Sequence, residues 1–336
     1  MKERYFSMKP TRMYSFLFLF LLALALAACG SSKEEPGASA PEASSSGGDL
    51  RTIKIGYLPI THAAPLYVED ELGKGKFSHF KLELVKFGSW PDLMDALNSG
   101  RIDGASVLIQ LAMAAKEQGH DLKTVALGHK EGNVIVTAND IQQPADLKGK
   151  TFAIPHKFST HNLLLYLMLK QAGMSYTDVN VVQLAPAEMP AALAEGRIAG
   201  YVVAEPFGAK SVAIQKGKVL FQSADLWKDS IDCALVLRGE LIRSDREAVQ
   251  EFVTEYVKAG QKAEQKDAEG RAILSKYMNV DEKVLDLSLE WIQYDDLRVS
   301  EASYEELRKL AVEMGLSQNP PAYQDFVDHS FIDQVK

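Results

Sequence analysis

Two stretches of this chain, about a hundred residues apart, carry the same signature. Thr61, His62, Leu66 and Tyr67 return as Thr160, His161, Leu165 and Tyr166, an offset of 99 residues. Farther along, Ala96-Leu97 followed by Gly100-Arg101-Ile102 and Gly104 returns as Ala192-Leu193 followed by Gly196-Arg197-Ile198 and Gly200, an offset of 96. The two elements keep their order, so one supersecondary unit is used twice. A chain of this kind is expected to fold as two similar α/β lobes facing each other across a cleft, each lobe offering a strand-loop-helix corner that bears Thr and His. That is the layout of a two-lobed binder of small solutes.

The front of the chain reads as an export address. Lys2, Arg4, Lys9 and Arg12 precede an unbroken apolar run from Phe16 to Ala28, thirteen residues long, which is shorter than the ~20 a membrane-spanning helix needs. Residues 1–28 are therefore expected to be a signal peptide. The closing Leu26-Ala27-Ala28-Cys29-Gly30 resembles the lipobox of bacterial lipoproteins, and that resemblance implies lipid attachment at Cys29 and anchoring to the outside of the cell membrane. Residues 29–50 then read as a tether, because 30–49 hold six Ser, four Gly and two Pro and no apolar side chain larger than Ala or Pro. Such a segment buries too little surface to offset the entropy of ordering.

Charge and cysteine content narrow the function. The whole chain has 37 basic and 45 acidic residues. Removing residues 1–28 takes four basic and one acidic residue and leaves a net charge of −11, which disfavours nucleic-acid binding. With Cys29 acylated, Cys233 is the one remaining thiol. That excludes an internal disulfide and a Cys-based structural zinc site, and it makes Cys233 a buried small side chain. About 287 residues from Leu50 onward suffice for two lobes with real cores.

Strand and helix patterns alternate along the chain. Strands are expected at 52–59, 80–87, 151–155, 179–182 and 200–203, and helices at 64–72, 89–97, 161–172 and 189–195. Gly100 and Gly173 act as helix stops, and Ser89 as a cap. Alternation of this kind predicts largely parallel sheets covered by helices. Beyond residue 230 the pattern changes to long helices, where Ser244 with Glu247 and Ser303 with Glu306 read as capping boxes. These helices have no twin in the second copy and are expected to pack on the first lobe. The expected division is lobe 1 from 51–140 plus 241–336 and lobe 2 from 141–240, with crossovers near 136–148 and 231–240.

Ligands of open α/β sheets sit beyond the strand ends where helices begin. Thr61, His62, Thr160 and His161 occupy such places, where unpaired N–H groups and the helix dipole suit an oxyanion. The segment Gly128 to Asn133, including Gly132 and Asn133, stands at another strand end, as does Glu205 before Pro206. Glu205 reads either as a local cap or as the partner of a cationic ligand. The motifs of hydrolases, zinc proteases and nucleotide-binding loops are absent from the sequence, so no catalytic residue, no enzymatic activity and no cofactor is expected. His62, His161, Glu205 and Asp232 have the chemistry of metal donors, but no two stand at short helical spacing, and the expectation is of no metal site.

At these residues the chain resembles the nitrate, aliphatic-sulfonate and taurine group of solute-binding proteins that feed ATP-driven importers, a group to which thiamine-precursor binders also belong. The resemblance runs over about 51–260. It is carried by Gly56-Tyr57 through Thr61-His62-Ala63-Ala64-Pro65-Leu66, by Gly132-Asn133, by His161-Asn162, and by Gly200-Tyr201-Val202-Val203-Ala204-Glu205-Pro206. It implies the type II periplasmic-binding-protein fold, closure of two lobes around a solute, an ABC permease and ATPase as partners, and a monomer. Within it, nitrate-type proteins carry Trp in the segment matching Val107-Leu108-Ile109-Gln110 and Lys in the loop matching Ser230-Ile231-Asp232-Cys233. Val107 and Gln110 would then line a roomier site, and Asp232 would reverse its charge. The solute implied is a small sulfur- or nitrogen-containing organic compound of taurine type ahead of bare nitrate. Nitrate or bicarbonate, a thiamine-pyrimidine precursor, and an exported enzyme on the same fold are the alternatives.

Overall fold

The computed structural model describes residues 50–335; the expected signal peptide, Cys29 and all but the last residue of the tether lie outside the described residues. Among the described residues no helix is long and apolar enough to cross a membrane. The strands are β1 (Arg51–Tyr57), β2 (Phe80–Lys86), β3 (Gly104–Leu108), β4 (Leu122–Leu127), β5 (Lys130–Glu131), β6 (Asn133–Thr137), β7 (Thr151–Ile154), β8 (Asn180–Gln183), β9 (Gly200–Ala204), β10 (Lys218–Gln222), β11 (Cys233–Arg238) and β12 (Ile292–Gln293). The helices that matter for the site are α1 (Ala64–Gly73), α2 (Trp90–Asn98), α3 (Ile109–Glu117), α4 (Thr160–Gln171), α5 (Met189–Ala194) and α6 (Phe207–Ala213).

The strands form two five-stranded sheets, ordered β2-β1-β3-β11-β4 and β10-β6-β9-β7-β8. In the first, β1 runs parallel to β2 and β3, and β11 lies antiparallel between β3 and β4. In the second, β7 runs parallel to β8 and β9, and β6 lies antiparallel between β9 and β10. Each lobe thus has the same five-strand plan, and in each the antiparallel strand belongs to a segment where the chain passes between lobes. The mixed, helix-covered α/β architecture matches the expected fold class.

Sheet membership moves the expected lobe boundaries. Residues 133–137, expected in lobe 1, form β6 in the second sheet, and 233–238, expected in lobe 2, form β11 in the first. The crossovers are therefore 128–132 and 223–232. Both β6 and β11 read as apolar runs, and nothing local says which sheet takes such a strand.

The repeat seen in the sequence is a repeat of hydrogen bonds. Where α2 ends, Gly100 adopts φ +77° and the amides of Arg101 and Ile102 donate to the Ala96 carbonyl at 2.9 and 3.4 Å. Where α5 ends, Gly196 adopts φ +71° and Arg197 and Ile198 donate to Ala192 at the same two distances. This left-handed stop needs a residue without a Cβ penalty. The glycines that open β3 and β9 are conserved between the two halves for a different reason. A Cβ on Gly104 would lie 2.8 Å from the Val236 carbonyl oxygen, and one on Gly200 would lie 2.9 Å from that of Val136. Each is needed so that the antiparallel crossover strand can come close.

Ser89 caps α2 by accepting from Asp92 N–H, and Ser159, one residue before Thr160, caps α4 by accepting from Asn162 N–H. The two later capping boxes are corrected. Ser244 ends a short helix and Asp245 caps Arg246–Glu264, while Ser300 caps Glu301–Glu313 and Ser303 lies inside it. Asp245, one residue after Ser244, and Ser300, three residues before Ser303, compete for the same role, and the point where the helix starts decides.

The C-terminal helices do not stay on the first lobe. Helix Arg246–Glu264 packs there, its Glu251 carboxylate accepting from Ser78 and His79 N–H at 2.8 Å. Glu313 instead accepts from Tyr166 Oη at 2.6 Å and pairs with Lys170, and Lys283 donates to the Ala213 carbonyl, both on the second lobe. The tail therefore straps the two lobes together.

Crowding against backbone oxygen has a measurable consequence. Gly104→Ala and Gly200→Ala are each expected to lower unfolding free energy by about 1–3 kcal/mol, whereas Gly88→Ala, with open space around it, should change it by less than about 0.5 kcal/mol. Urea denaturation of the three variants checks this, and equal effects at all three sites would refute the close-approach argument.

Candidate functional site

The two Thr-His corners meet. Thr61 follows β1, and both its N–H (2.9 Å) and its hydroxyl (3.1 Å) donate to the carbonyl of Glu205, at the end of β9 in the other lobe. Thr160 opens α4 and its hydroxyl donates to the Ile231 carbonyl, in the second crossover, at 2.8 Å. Both hydroxyls are thus spent on joining the lobes. The expectation that they frame an oxyanion is replaced by a role as interlobe clasps.

The next residue at each corner points into a shared interior. His62 is fully buried and His161 and Asp232 are 1% exposed. His62 Nδ1 lies 3.1 Å from Asp232 Oδ2 and His161 Nδ1 lies 3.7 Å from Asp232 Oδ1. The His62 and His161 rings are 6.4 Å apart and nearly parallel, inclined by 9°. His129, from the loop after β4, stacks on His62 at 3.5 Å and brings its Nε2 to 4.0 Å from Asp232 Oδ2. Its Nδ1 donates to the Glu131 carbonyl at 2.7 Å, which leaves Nε2 as the lone-pair nitrogen facing the cluster. Cys233 Sγ is 3.4 Å from His62 Nδ1 and 3.9 Å from Asp232 Oδ2.

Strand ends and turns produce this convergence. Asp232 precedes β11, and its carbonyl accepts from Ile109 N–H at 2.7 Å at the start of α3. Gly128 lets the His129 loop pass close: its N–H donates to the Cys233 carbonyl at 2.8 Å, and a Cβ there would lie 2.5 Å from the His62 carbonyl oxygen. His62, His129 and Asp232 come from the first lobe and its crossover, and His161 comes from the second.

The electrostatics follow from burial and proximity. Burial alone would raise the Asp232 carboxyl, but His161, then His62 and His129, hold it well below the usual carboxylate range. Burial pushes His161 down to about 4 against the pull of Asp232. His129 is driven well below its ordinary value, by burial first and His62 second. Burial, then Asp232, pushes the Cys233 thiol up. At neutral pH burial keeps His129 and His161 uncharged beside the Asp232 carboxylate, and Cys233 keeps its proton.

Among the described residues His62 Nε2, both ring nitrogens of His161 and Asp232 Oδ1 have no hydrogen-bond partner, although all are buried. Both amide atoms of Gln110 and of Asn133 are in the same state. Each such orphan costs about 1–3 kcal/mol, so the centre of the molecule is built to be completed by something else.

Other expected residues are placed differently. The Glu205 carboxylate accepts from Ala209 N–H at 2.7 Å at the start of its own helix α6, which is the capping alternative. Val107 is a fully buried strand residue paired with Ala234. Gly132 takes φ +82° and lies against Ile292 of the β5–β12 ribbon. Sequence reading did not single out His129 or assign Cys233 to the site. A His directly after a strand-ending Gly was the available signal for the first, and nothing local marked the second.

Twin mixed sheets joined by two crossovers, with buried polar groups at the seam, define a two-lobed periplasmic-binding-protein fold. The chain belongs to the NMT1-like family, whose profile matches residues 46–279. A ligand-binding component of an ABC-type import system from Staphylococcus aureus, solved with zinc bound, is 44% identical, with a TM-score of 0.82 over 85% of this chain and 99% of that one. The periplasmic aliphatic sulphonate binding protein SsuA from Escherichia coli, 22% identical over 85% of this chain and all of that one, has a TM-score of 0.70 and shares the fold. The nitrate/nitrite binding protein NrtA of Nostoc sp. is 28% identical over 73% of this chain. The match spans 62% of that protein's length.

Glu205 supplies a pH test. Burial pushes its carboxyl up to about 7, against the N–H groups of Ala209 and Gly208. Below the unfolded value near 4.5 both states hold the proton; above it the unfolded chain loses the proton first. Stability therefore falls between about pH 4.5 and 7, by an amount on the order of 3 kcal/mol, and then flattens. Melting curves of the chain and of Glu205→Gln across that window should diverge, with the variant lacking the decline. Parallel curves would show that Glu205 does not titrate there.

Proposed function

We propose that this chain is the extracytoplasmic capture component of an ABC importer, anchored outside the membrane through Cys29, and that its cargo contains a divalent transition-metal ion of the zinc class. It binds and releases without chemistry. One observation carries the reading: three imidazoles and a carboxylate from both lobes converge, and His62, His161 and Asp232 each bring an unpartnered atom. Zinc bonds of about 2.0–2.2 Å place tetrahedral ligand atoms roughly 3.3 Å apart. Here the imidazole–carboxylate separations are 3.1, 3.7 and 4.0 Å. The ligand atoms of His62, His129, Asp232 and Cys233 all lie within 4.8 Å of one another. Imidazole with carboxylate is a zinc-type donor set, and the backbone acceptor on His129 Nδ1 is the kind of outer support that orients a ligating His.

The zinc in the S. aureus relative supports this reading. The expectation that no metal site exists rested on sequence spacing, and the fold supplies the proximity that spacing lacked. Closure follows from the same geometry: an ion held by His62, His129 and Asp232 fixes the carboxylate that His161 of the other lobe reaches at 3.7 Å, and this favours the closed form that docks on a permease.

A second reading, a small taurine-like organic solute without metal, is favoured by the orphaned amides of Gln110 and Asn133. Titration calorimetry separates the two. Zinc chloride should bind at one equivalent, and His161→Ala and Asp232→Asn should each weaken it by at least about ten-fold. If taurine or an alkanesulfonate stabilises the metal-free protein and zinc binds no more tightly than to the two variants, the metal reading is wrong and the organic one stands.

A further inference from the structure

The orphaned groups at the seam are of two chemical kinds, and a bare cation satisfies one kind alone. His62 Nε2, one ring nitrogen of His161 and Asp232 Oδ1 can offer lone pairs suited to a metal. Gln110 and Asn133, both 1% exposed, leave the carbonyl and the NH2 of each amide without partner. An NH2 group needs an acceptor atom, which no metal ion provides.

Both amides sit beside the cluster. Gln110 follows Ile109, whose N–H is bonded to the Asp232 carbonyl at 2.7 Å. Asn133 opens β6 opposite Ala204, and the adjoining Glu205 carbonyl takes both polar hydrogens of Thr61, the neighbour of His62. One amide belongs to each lobe. The Thr61 and Thr160 hydroxyls are already bonded across the seam, so the amide NH2 groups and the His161 N–H remain to meet an acceptor.

Charge leads to the same place. A divalent ion held by imidazoles and Asp232, with Cys233 outside its ligand set and still a thiol, leaves one uncompensated positive charge in a site whose members are about 1% exposed or less. Among the described residues, the ion-pair partners of Asp232 are His62, His129 and His161 and no second acid joins them. A buried net charge is costly unless paired. A monovalent anion with acceptor oxygens would cancel it and would accept from the amides.

Resting on the metal reading above, we propose that the cargo is a complex: a divalent transition-metal ion held by His62, His129 and Asp232, carrying a small carboxylate or other monovalent oxygen anion that Gln110 and Asn133 recognise. Gln110 and Asn133 are then specificity residues for the anion and not metal ligands.

Calorimetric titration of the purified chain tests this with zinc chloride alone and with zinc chloride in saturating acetate, glycinate or bicarbonate, each corrected for zinc binding by the anion in solution. The expected result is at least ten-fold tighter zinc binding with one of these anions. Reciprocally, that anion should bind the zinc-loaded chain by the same factor more tightly than the zinc-free chain. Gln110→Met and Asn133→Ser should abolish the enhancement while leaving zinc-alone affinity within about three-fold, which also shows that the variants are folded. Zinc affinity unchanged by every anion, or lost equally in the amide variants without anion, would overturn the complex and leave the metal site intact. Failure of zinc to bind at all would overturn both readings together.

Discussion

A carboxylate buried among imidazoles is the constraint on which the rest of this structure turns. Asp232 is 1% exposed and its ion-pair partners among the described residues are three histidines. A charge so placed is tolerated only where hydrogen-bond donors or a cation answer it. His62 answers at 3.1 Å on one side while His161 stands off at 3.7 Å on the other, and Asp232 Oδ1 has no hydrogen-bond partner. The stability of the seam and its capacity for cargo are therefore the same quantity. An occupant that satisfies these atoms recovers free energy the folded chain alone does not.

The backbone around that carboxylate is arranged so that two lobes are needed to complete it. Thr61 and Thr160 clasp carbonyls across the seam beside the histidines that follow them. Glu131 ties the two crossovers together by accepting from Ser223 Oγ at 2.7 Å and Asp229 N–H at 3.1 Å. The tail adds a brace through Glu313 on Tyr166 and Lys170. Closure and ligand presentation are coupled through ordinary hydrogen bonds, each worth about 1 kcal/mol net, so their summed effect stays within reach of a ligand's binding energy.

Several features were legible in the chain because they depend on nearby residues. The duplicated Gly-Arg-Ile segment follows from the local geometry of a left-handed helix stop, and it recurs with the same hydrogen bonds at Ala96 and Ala192. The Thr-His pairs could be read as corner residues because strand and helix periodicities change there. The placement of β6 and β11 was not legible, since an apolar run fits either sheet. Glu205 was ambiguous between cap and ligand, and the start of α6 settled it as an acceptor for its own helix. His129 and Cys233 escaped notice in the site because their partners are distant in sequence: Cys233 stands 171 residues from His62 and 104 from His129.

By itself the sequence determined the two-lobed plan, the strand and helix order, the polarity of the corners and the acidic charge, because each arises from contacts or periodicities within a few residues. The tertiary structure decided which lone pairs meet. Donor atoms have to come within a few ångströms of one point for metal chemistry to exist, and here that point is reached by loops from four separate parts of the chain. Strand exchange between the lobes sets those distances, and it has no local signature. For that reason the meeting of three histidines and an aspartate could not be read from their spacing in the sequence.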